Sequence, residues 1–328
     1  MLAVVVPYAR THARVRTRER MLHVPVMTEE VVRYLLHDRS RVVVDGTVGF
    51  GGHAEAILRA SAGVRVIGID RDPVAIESTA RRLSRFSDRL TLVQGHYSDL
   101  EGALAGVGMV DGILLDLGIS SPQIDDARRG FAHGASGPLD MRMGGDGETA
   151  ADLLHRSGID EIARLLKEYG EVRQPRRVAR AIRAAADRDE LRTTADLRAA
   201  VVAVLGRSVA PGELSRVFQA VRIAVNSELD HLRRLLDRAP AVLRPGGRLV
   251  VLSYHSLEDR MVKEFMRDAA SACVCPPSVP VCVCGRKPSL HILTRRAVRA
   301  GDAETASNPR ARSALLRAAE KIDRERAS

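Results

Sequence analysis

VVVDGTVGFGGHAEAILRASAGVRVIGID, residues 42–70, carries two strand patterns separated by a glycine-rich turn and a helical pattern. It opens on a β-branched run ending at Asp45, passes through a glycine-rich turn, and enters a segment at 53–60 with apolar residues at helical spacing. A second β-branched run, 64–70, ends on Asp70. The same alternation continues outward. Downstream, a helix is expected from Pro73 to about Leu83, then strands at 90–95 and 110–116. Upstream, Thr28 followed by Glu29 and Glu30 reads as a helix start, with Thr28 as the cap. Short apolar runs alternating with helices call for an α/β fold with a parallel sheet covered on both faces. Ligands in such folds sit at the carboxyl ends of the strands.

The alternation stops after Asp116. Residues 118–147 read as a long glycine-rich loop, and a loop of that length is usually functional or disordered. Residues 149 to about 213 carry helical patterns only, punctuated by Gly170 and Pro175. A long helix is expected near 214–239, the sheet pattern resumes at 246–255, and a helix starts at Ser256. The tail beyond about 300 is polar and charged and is expected to end in a short helix. The resulting division is a discontinuous sheet domain, 21–127 and 214–328, interrupted by a loop and helical insertion, 128–213. Residues 1–20 are Arg-rich without sustained periodicity, either a flexible basic arm or the product of an upstream start codon.

The 328-residue chain carries 51 basic against 41 acidic side chains, a net +10 that suits an anionic partner such as nucleic acid or is a compositional habit. Only 3% of residues are aromatic and none is Trp, which argues against a surface of many stacked aromatics for bases. No apolar run approaches the about 20 residues that span a bilayer, and Ala3 to Val6 is flanked wrongly for a signal peptide. A cytoplasmic protein is expected. Its four cysteines, Cys273, Cys275, Cys282 and Cys284, lie in one segment, CVCPPSVPVCVC. In a reducing compartment this reads as a structural zinc site or free thiols rather than a disulfide framework. Two thiolates at i and i+2 share one side of an extended strand, so two C-x-C pairs suit a tetrahedral zinc site of four thiolates, although the usual knuckle is C-x2-C.

The turn Asp45 to His53 links a strand to a helix, and its glycines let backbone approach a ligand. Gly49-x-Gly51-x-x-Ala54 loosely satisfies a dinucleotide fingerprint, and a tight turn serving only packing satisfies it too. Asp70, about 20 residues on, is placed to accept hydrogen bonds from ribose hydroxyls, while a capping role fits Asp72 better. A dinucleotide and S-adenosylmethionine both remain open at this point. The fourth strand ends in Asp116-Leu117-Gly118-Ile119-Ser120-Ser121-Pro122-Gln123, a carboxylate and hydroxyls beside a Pro-stiffened turn. Exocyclic base amines are poor nucleophiles because the lone pair is delocalised, and acceptors that bind the amine hydrogens favour an attacking geometry. Asp116, Ser120 and Ser121 therefore have a purpose in amine methylation, with a capping turn as the other reading of each serine.

These blocks, with HVPVMTEEVV, GILLDLGISSPQIDDARRGFAH, GPLDMRM, FQAVRIAVNSELD, LRPGGRLVVLSYHSLEDRMVKEFM and NPRARSALLRAAE, run in order over residues 23 to about 320. Together they resemble the bacterial 16S rRNA cytosine-N4-methyltransferases of the RsmH (MraW) type. The resemblance implies a Rossmann-like class I S-adenosylmethionine-dependent methyltransferase sheet with an inserted all-helical substrate domain. It implies cofactor contacts from Gly51, Gly52, His53, Asp70, Tyr97, Asp116 and Gln123. It implies methyl transfer to N4 of a cytidine in the decoding, P-site region of 16S rRNA in the small ribosomal subunit. Tyr254 and His255 close a further strand, and His255 is a candidate hydrogen-bond partner or proton acceptor for the base. Ser256 with Glu258 and Asp259 reads as a helix start. Asn226 and Glu228 read as packing and hydrogen-bonding residues ahead of catalytic ones. Arg128, Arg129, Arg142, Arg310 and Arg312 are solvated surface charges or phosphate contacts. Two rivals remain. A DNA amino-methyltransferase usually carries D/S-P-P-Y/F where this chain has Ser120-Ser121-Pro122-Gln123, and an RNA-binding ribosome-assembly factor would use the cofactor only as structural support.

Overall fold

Val42, Val43 and Val44 are all buried, which follows from a strand packed on both faces. The computed structural model describes residues 25–206, 211–276 and 281–323; the basic arm expected over 1–20 lies outside them. The chain begins α1 (Thr28–Leu35), β1 (Val42–Asp45), α2 (Gly52–Ala60), β2 (Arg65–Asp70), α3 (Pro73–Arg82), β3 (Leu90–Gln94), α4 (Leu100–Ala103) and β4 (Val110–Asp116). Six helices follow: α5 (Ser121–Asp125), α6 (Ala150–Arg156), α7 (Ile159–Gly170), α8 (Pro175–Asp187), α9 (Thr194–Leu205) and α10 (Pro211–Asn226). The remainder is α11 (Glu228–Val242), β5 (Leu243–Ser253), α12 (Ser256–Ala269), β6 (Leu290–Ile292), β7 (Val298–Arg299), α13 (Asp302–Ser307) and β8 (Leu315–Lys321).

Among the described residues, eight strands form one sheet in the order β3-β2-β1-β4-β5-β8-β6, with β7 beside β8. Strands β1 to β5 are parallel, and β8 runs antiparallel to β5, β6 and β7. Strand order reverses between β1 and β4, the position at which open α/β sheets bind ligands. The two-residue side-chain period divides the core in two. Val42, Val44, Ile113, Leu115, Leu249 and Val251 pack with Leu232, Leu235 and Leu236 of α11 and Val262 and Met266 of α12. Val43, Leu114, Val250 and Leu252 face the other way, onto Val31 and Leu35 of α1 and Ala54, Ile57 and Leu58 of α2.

The described residues up to Gly118 together with those from His231 form one compact unit, and those from Ile119 to Asp230 form a second. The second is helical and has its own core, built from Ile162 and Leu166, Val178 and Ile182, and Leu197 and Val201, each pair four residues apart. That core also takes in Leu214, Val217, Phe218 and Val221, so α10 belongs to the helical unit beyond residue 213.

Four local expectations are corrected. The cap of α1 is Met27 in a left-handed conformation, because Thr28 turns its hydroxyl back to the Pro25 carbonyl. The helix expected over 214–239 is two, broken at Ser227 with φ 47°. Helix α12 starts at Ser256 as expected, with His255 as its cap. The segment 118–147 is not simply open loop. Phe131, Leu139 and Met141 enter the helical core, and Leu139 N–H donates to the Arg192 carbonyl at 2.9 Å. Gly130, at φ 72°, is required there, since a Cβ would lie 2.2 Å from the Pro138 carbonyl oxygen. Among the described residues the last element of the tail is strand β8 rather than a helix. Leu315-Leu316-Arg317-Ala318-Ala319-Glu320 has the composition of a helix, but pairing with β5 on one side and β6 and β7 on the other overrides that propensity.

Candidate active site

The turn after β1 is tied to the strands on both sides. Gly46 N–H donates to the Leu114 carbonyl of β4 and Val48 N–H to the Ile69 carbonyl of β2, each at 2.9 Å. Gly49 N–H donates to Asp70 Oδ2 at 2.9 Å, and the other Asp70 oxygen accepts from Asp72 N–H at 2.9 Å. Asp70 thus clamps the turn that its spacing associates with a ligand. Burial raises its pKa, against the pull of those two N–H groups. Gly51 caps α2 at φ 80°, where a Cβ would meet Thr79 at 2.9 Å and Leu83 at 3.0 Å. Gly52 faces Pro25. The glycines are therefore required by packing as well as available to a ligand.

Asp116 ends β4 and is the centre of the site. Its N–H donates to Thr47 Oγ1 at 2.7 Å, which fixes the end of β4 against the glycine turn. The Tyr254 hydroxyl donates to Asp116 Oδ1 at 2.7 Å. Tyr254 can reach because Leu117 N–H bonds the Leu252 carbonyl at 3.0 Å, so the ends of β4 and β5 stay level. His53 Nε2 lies 3.3 Å from Asp116 Oδ2, close enough for ion pairing but off the direction of a hydrogen bond. The Asp116 side chain remains 19% exposed, while that of His53 is 6%.

Behind this pair is Asp45, fully buried at the end of β1. Burial pushes its carboxyl up to about 7, and the neighbouring carboxylates of Asp116 and Asp70 add to the rise. For His53, burial alone would lower the pKa, but contact with Asp116 and the charge of Asp45 outweigh it and the net shift is upward. Asp45 thus holds its proton toward neutral pH, and His53 is shifted toward its protonated form. Asp45 Oδ2 and His53 Nδ1 are buried without a hydrogen-bond partner. Tyr254 is held well above its ordinary pKa by burial and by Asp116, so it remains a donor.

The other nominated residues fall in several environments. Tyr97 follows β3, packs partly against the core and lies with its ring centroid 4.3 Å from that of His96. His96 stacks at 3.5 Å on His231, and burial together with His231 drives its pKa down to about 2. Gln123 Oε1 accepts from Ser120 N–H at 3.1 Å, a capping role in α5; Ser120 Oγ is buried without a partner. His255 Nδ1 accepts from Glu258 N–H at 3.4 Å, and its Nε2 lies 3.1 Å from the Glu258 carboxylate, so the ring is engaged in capping α12.

Asn226 donates to the Met141 and Arg222 carbonyls at 2.7 and 2.9 Å and accepts from Met143 N–H at 2.9 Å. Glu228 forms a bidentate pair with Arg222 at 2.8 and 3.0 Å. Both have the packing role expected of them in the sequence. Arg129 donates to the Met143 carbonyl at 2.7 Å and Arg142 pairs with Asp140 at 2.7 Å, which gives both a structural duty. Arg128 pairs with Asp126 but is 87% exposed, and Arg312 is exposed. The four cysteines bring their sulfur atoms within 4.8 Å of one another.

Thr47 and Asp45 were not singled out as site residues in the sequence, and Tyr254 was read there only as closing a strand beside His255. Asp45 has a readable signal as a lone carboxylate closing a wholly apolar strand. The roles of Thr47 and Tyr254 depend on register between strands that are distant in the chain.

A model of the MraW methylase family matches residues 20–322. The chain is 48% identical over 305 residues to "Ribosomal RNA small subunit methyltransferase H" of Anaeromyxobacter sp. (strain K), covering 92% of this chain and 98% of that protein. It is 48% identical over 319 residues to the protein of the same name in Syntrophotalea carbinolica, covering 93% and 100%. The corresponding protein of Geobacter sulfurreducens is 48% identical over 307 residues, covering 92% and 99%.

Proposed function

The chain belongs to the MraW methylase family, and from that premise we propose that it transfers a methyl group from S-adenosylmethionine to the exocyclic N4 of a cytidine in the decoding, P-site region of 16S rRNA. The names of its relatives support ribosomal RNA of the small subunit as the substrate. The observation that carries the reading is Asp116, a partly exposed carboxylate held by Tyr254 and His53 at the carboxyl end of β4.

The residues present fit a cationic nucleoside donor. Asp45, Asp70 and Asp116 close adjacent strands and influence one another electrostatically. The partly exposed Asp116 carboxylate attracts a sulfonium and holds the neutral product less strongly. In this reading the start of α2 with Gly51, Gly52 and His53 holds the methionine end, Asp70 the ribose and Tyr97 the adenine. S-adenosylmethionine supplies a methyl group on sulfur, and N4 exchanges one hydrogen for it.

Asp116 accepts a hydrogen bond from the N4 amine and draws its lone pair out of conjugation. Tyr254 and His53 keep that carboxylate oriented before the substrate arrives, so little reorganisation is needed during reaction. The displaced proton leaves by way of the Asp116 carboxylate to solvent. In transfer of labelled methyl to small subunits, free 16S rRNA and duplex DNA, RNA-containing substrates should be labelled, and Asp116→Ala should lower the rate at least about 100-fold. Labelling of duplex DNA alone, or equal labelling by the variant, contradicts the proposal.

A further inference from the structure

The segment between α12 and β6 contains no helix or strand among its described residues, and none of those from Ser271 to Ser289 is buried. Cysteines and valines alternate in Cys273-Val274-Cys275 and Val281-Cys282-Val283-Cys284, so in extended chain they take opposite sides. The valines face solvent: Val274, Val281 and Val283 are 56%, 71% and 79% exposed. No apolar core therefore holds its described residues, and exposing three valines is unfavourable unless something else holds them.

The thiols converge instead. Cys282 Sγ lies 3.5 Å from Cys284 Sγ, Cys284 Sγ lies 3.9 Å from Cys273 Sγ, and all four sulfurs fall within 4.8 Å of one another. A tetrahedral ion with zinc–sulfur bonds of about 2.3 Å has sulfur–sulfur edges of about 3.8 Å. These two separations bracket that edge. A disulfide joins sulfurs only in pairs and leaves the meeting of all four without a cause. Four soft ligands without an open position are the donor set of a structural rather than a catalytic zinc.

We propose that Cys273, Cys275, Cys282 and Cys284 bind one zinc ion as thiolates, and that this ion orders the connection between α12 and β6. Binding releases the thiol protons, so occupancy falls in acid. The site is separate from the methyl-transfer residues and does not depend on their assignment.

The test is metal analysis of the full chain purified under reducing conditions, with cobalt substitution of the metal-stripped protein as a second readout. The expected results are one zinc per chain, its loss in Cys273→Ser/Cys284→Ser, and a cobalt absorption spectrum of tetrahedral tetrathiolate type in the wild type. The wild-type readings keep the test valid if the variant misfolds. A freshly reduced wild-type chain without stoichiometric zinc and without that cobalt spectrum overturns the proposal, as does the finding of two disulfides among the four cysteines.

Discussion

A carboxylate can orient an amine only if it is itself held still, and around Asp116 that task falls to Tyr254 and His53. Tyr254→Phe removes one charged hydrogen bond, a contribution of about 1.5–3 kcal/mol, and should lower kcat at least about tenfold. KM for the methyl donor should stay near the wild-type value, because the hydroxyl acts on Asp116 rather than on the donor. An unchanged kcat would remove Tyr254 from the mechanism. Asp45 makes a different demand. Its carboxyl ordinarily ionises near 3.8 but holds its proton to about 7 in the folded chain. Between those values the folded state binds more protons than the unfolded state. This contribution to stability is therefore complete below about pH 4 and is lost as pH rises to about 7. Asp45→Asn cannot ionise, so its melting temperature relative to wild type should rise steadily across that window. A pH-independent difference between the two would show that Asp45 does not titrate there.

At the scale of elements, what was legible in the sequence follows the range of the forces involved. Strands β1, β2 and β4 were readable because parallel strands are apolar throughout, and α3 because Asp72 and Pro73 mark its start. Strand β8 was not, since Ala, Leu, Arg and Glu favour helix locally and only its sheet partners reveal its state. The same limit applied to the site. Asp70 and Asp116 close readable strands, whereas the Thr47 and Tyr254 contacts to Asp116 join residues 69 and 138 positions apart. The glycine-rich segment after β4 was legible as unusual but not as packed, because its anchor is Asn226 more than 80 residues away. Asn226→Ala leaves the Met141 carbonyl and Met143 N–H unpaired and should cost about 2–3 kcal/mol in denaturant unfolding. A loss within about 0.5 kcal/mol would mean that the segment is held by its apolar contacts alone.

For the whole molecule, the net charge of +10 sets an expectation for RNA binding. If phosphate contacts contribute, affinity for small-subunit RNA should fall at least about tenfold between about 50 and about 200 mM salt. An affinity indifferent to salt would assign the positive charge to solubility. Among the described residues no helix is long and apolar enough to cross a membrane. The proposed chemistry places Asp116 against a single base amine of small-subunit RNA. Mass-spectrometric mapping of 16S rRNA, after incubation of small subunits with the protein and isotopically labelled S-adenosylmethionine, tests it most directly. The account predicts the label on N4 of a cytidine in the decoding region with the wild-type protein, and none with Asp116→Ala. Label on another atom or region of the RNA, or the same label from the variant, would contradict it.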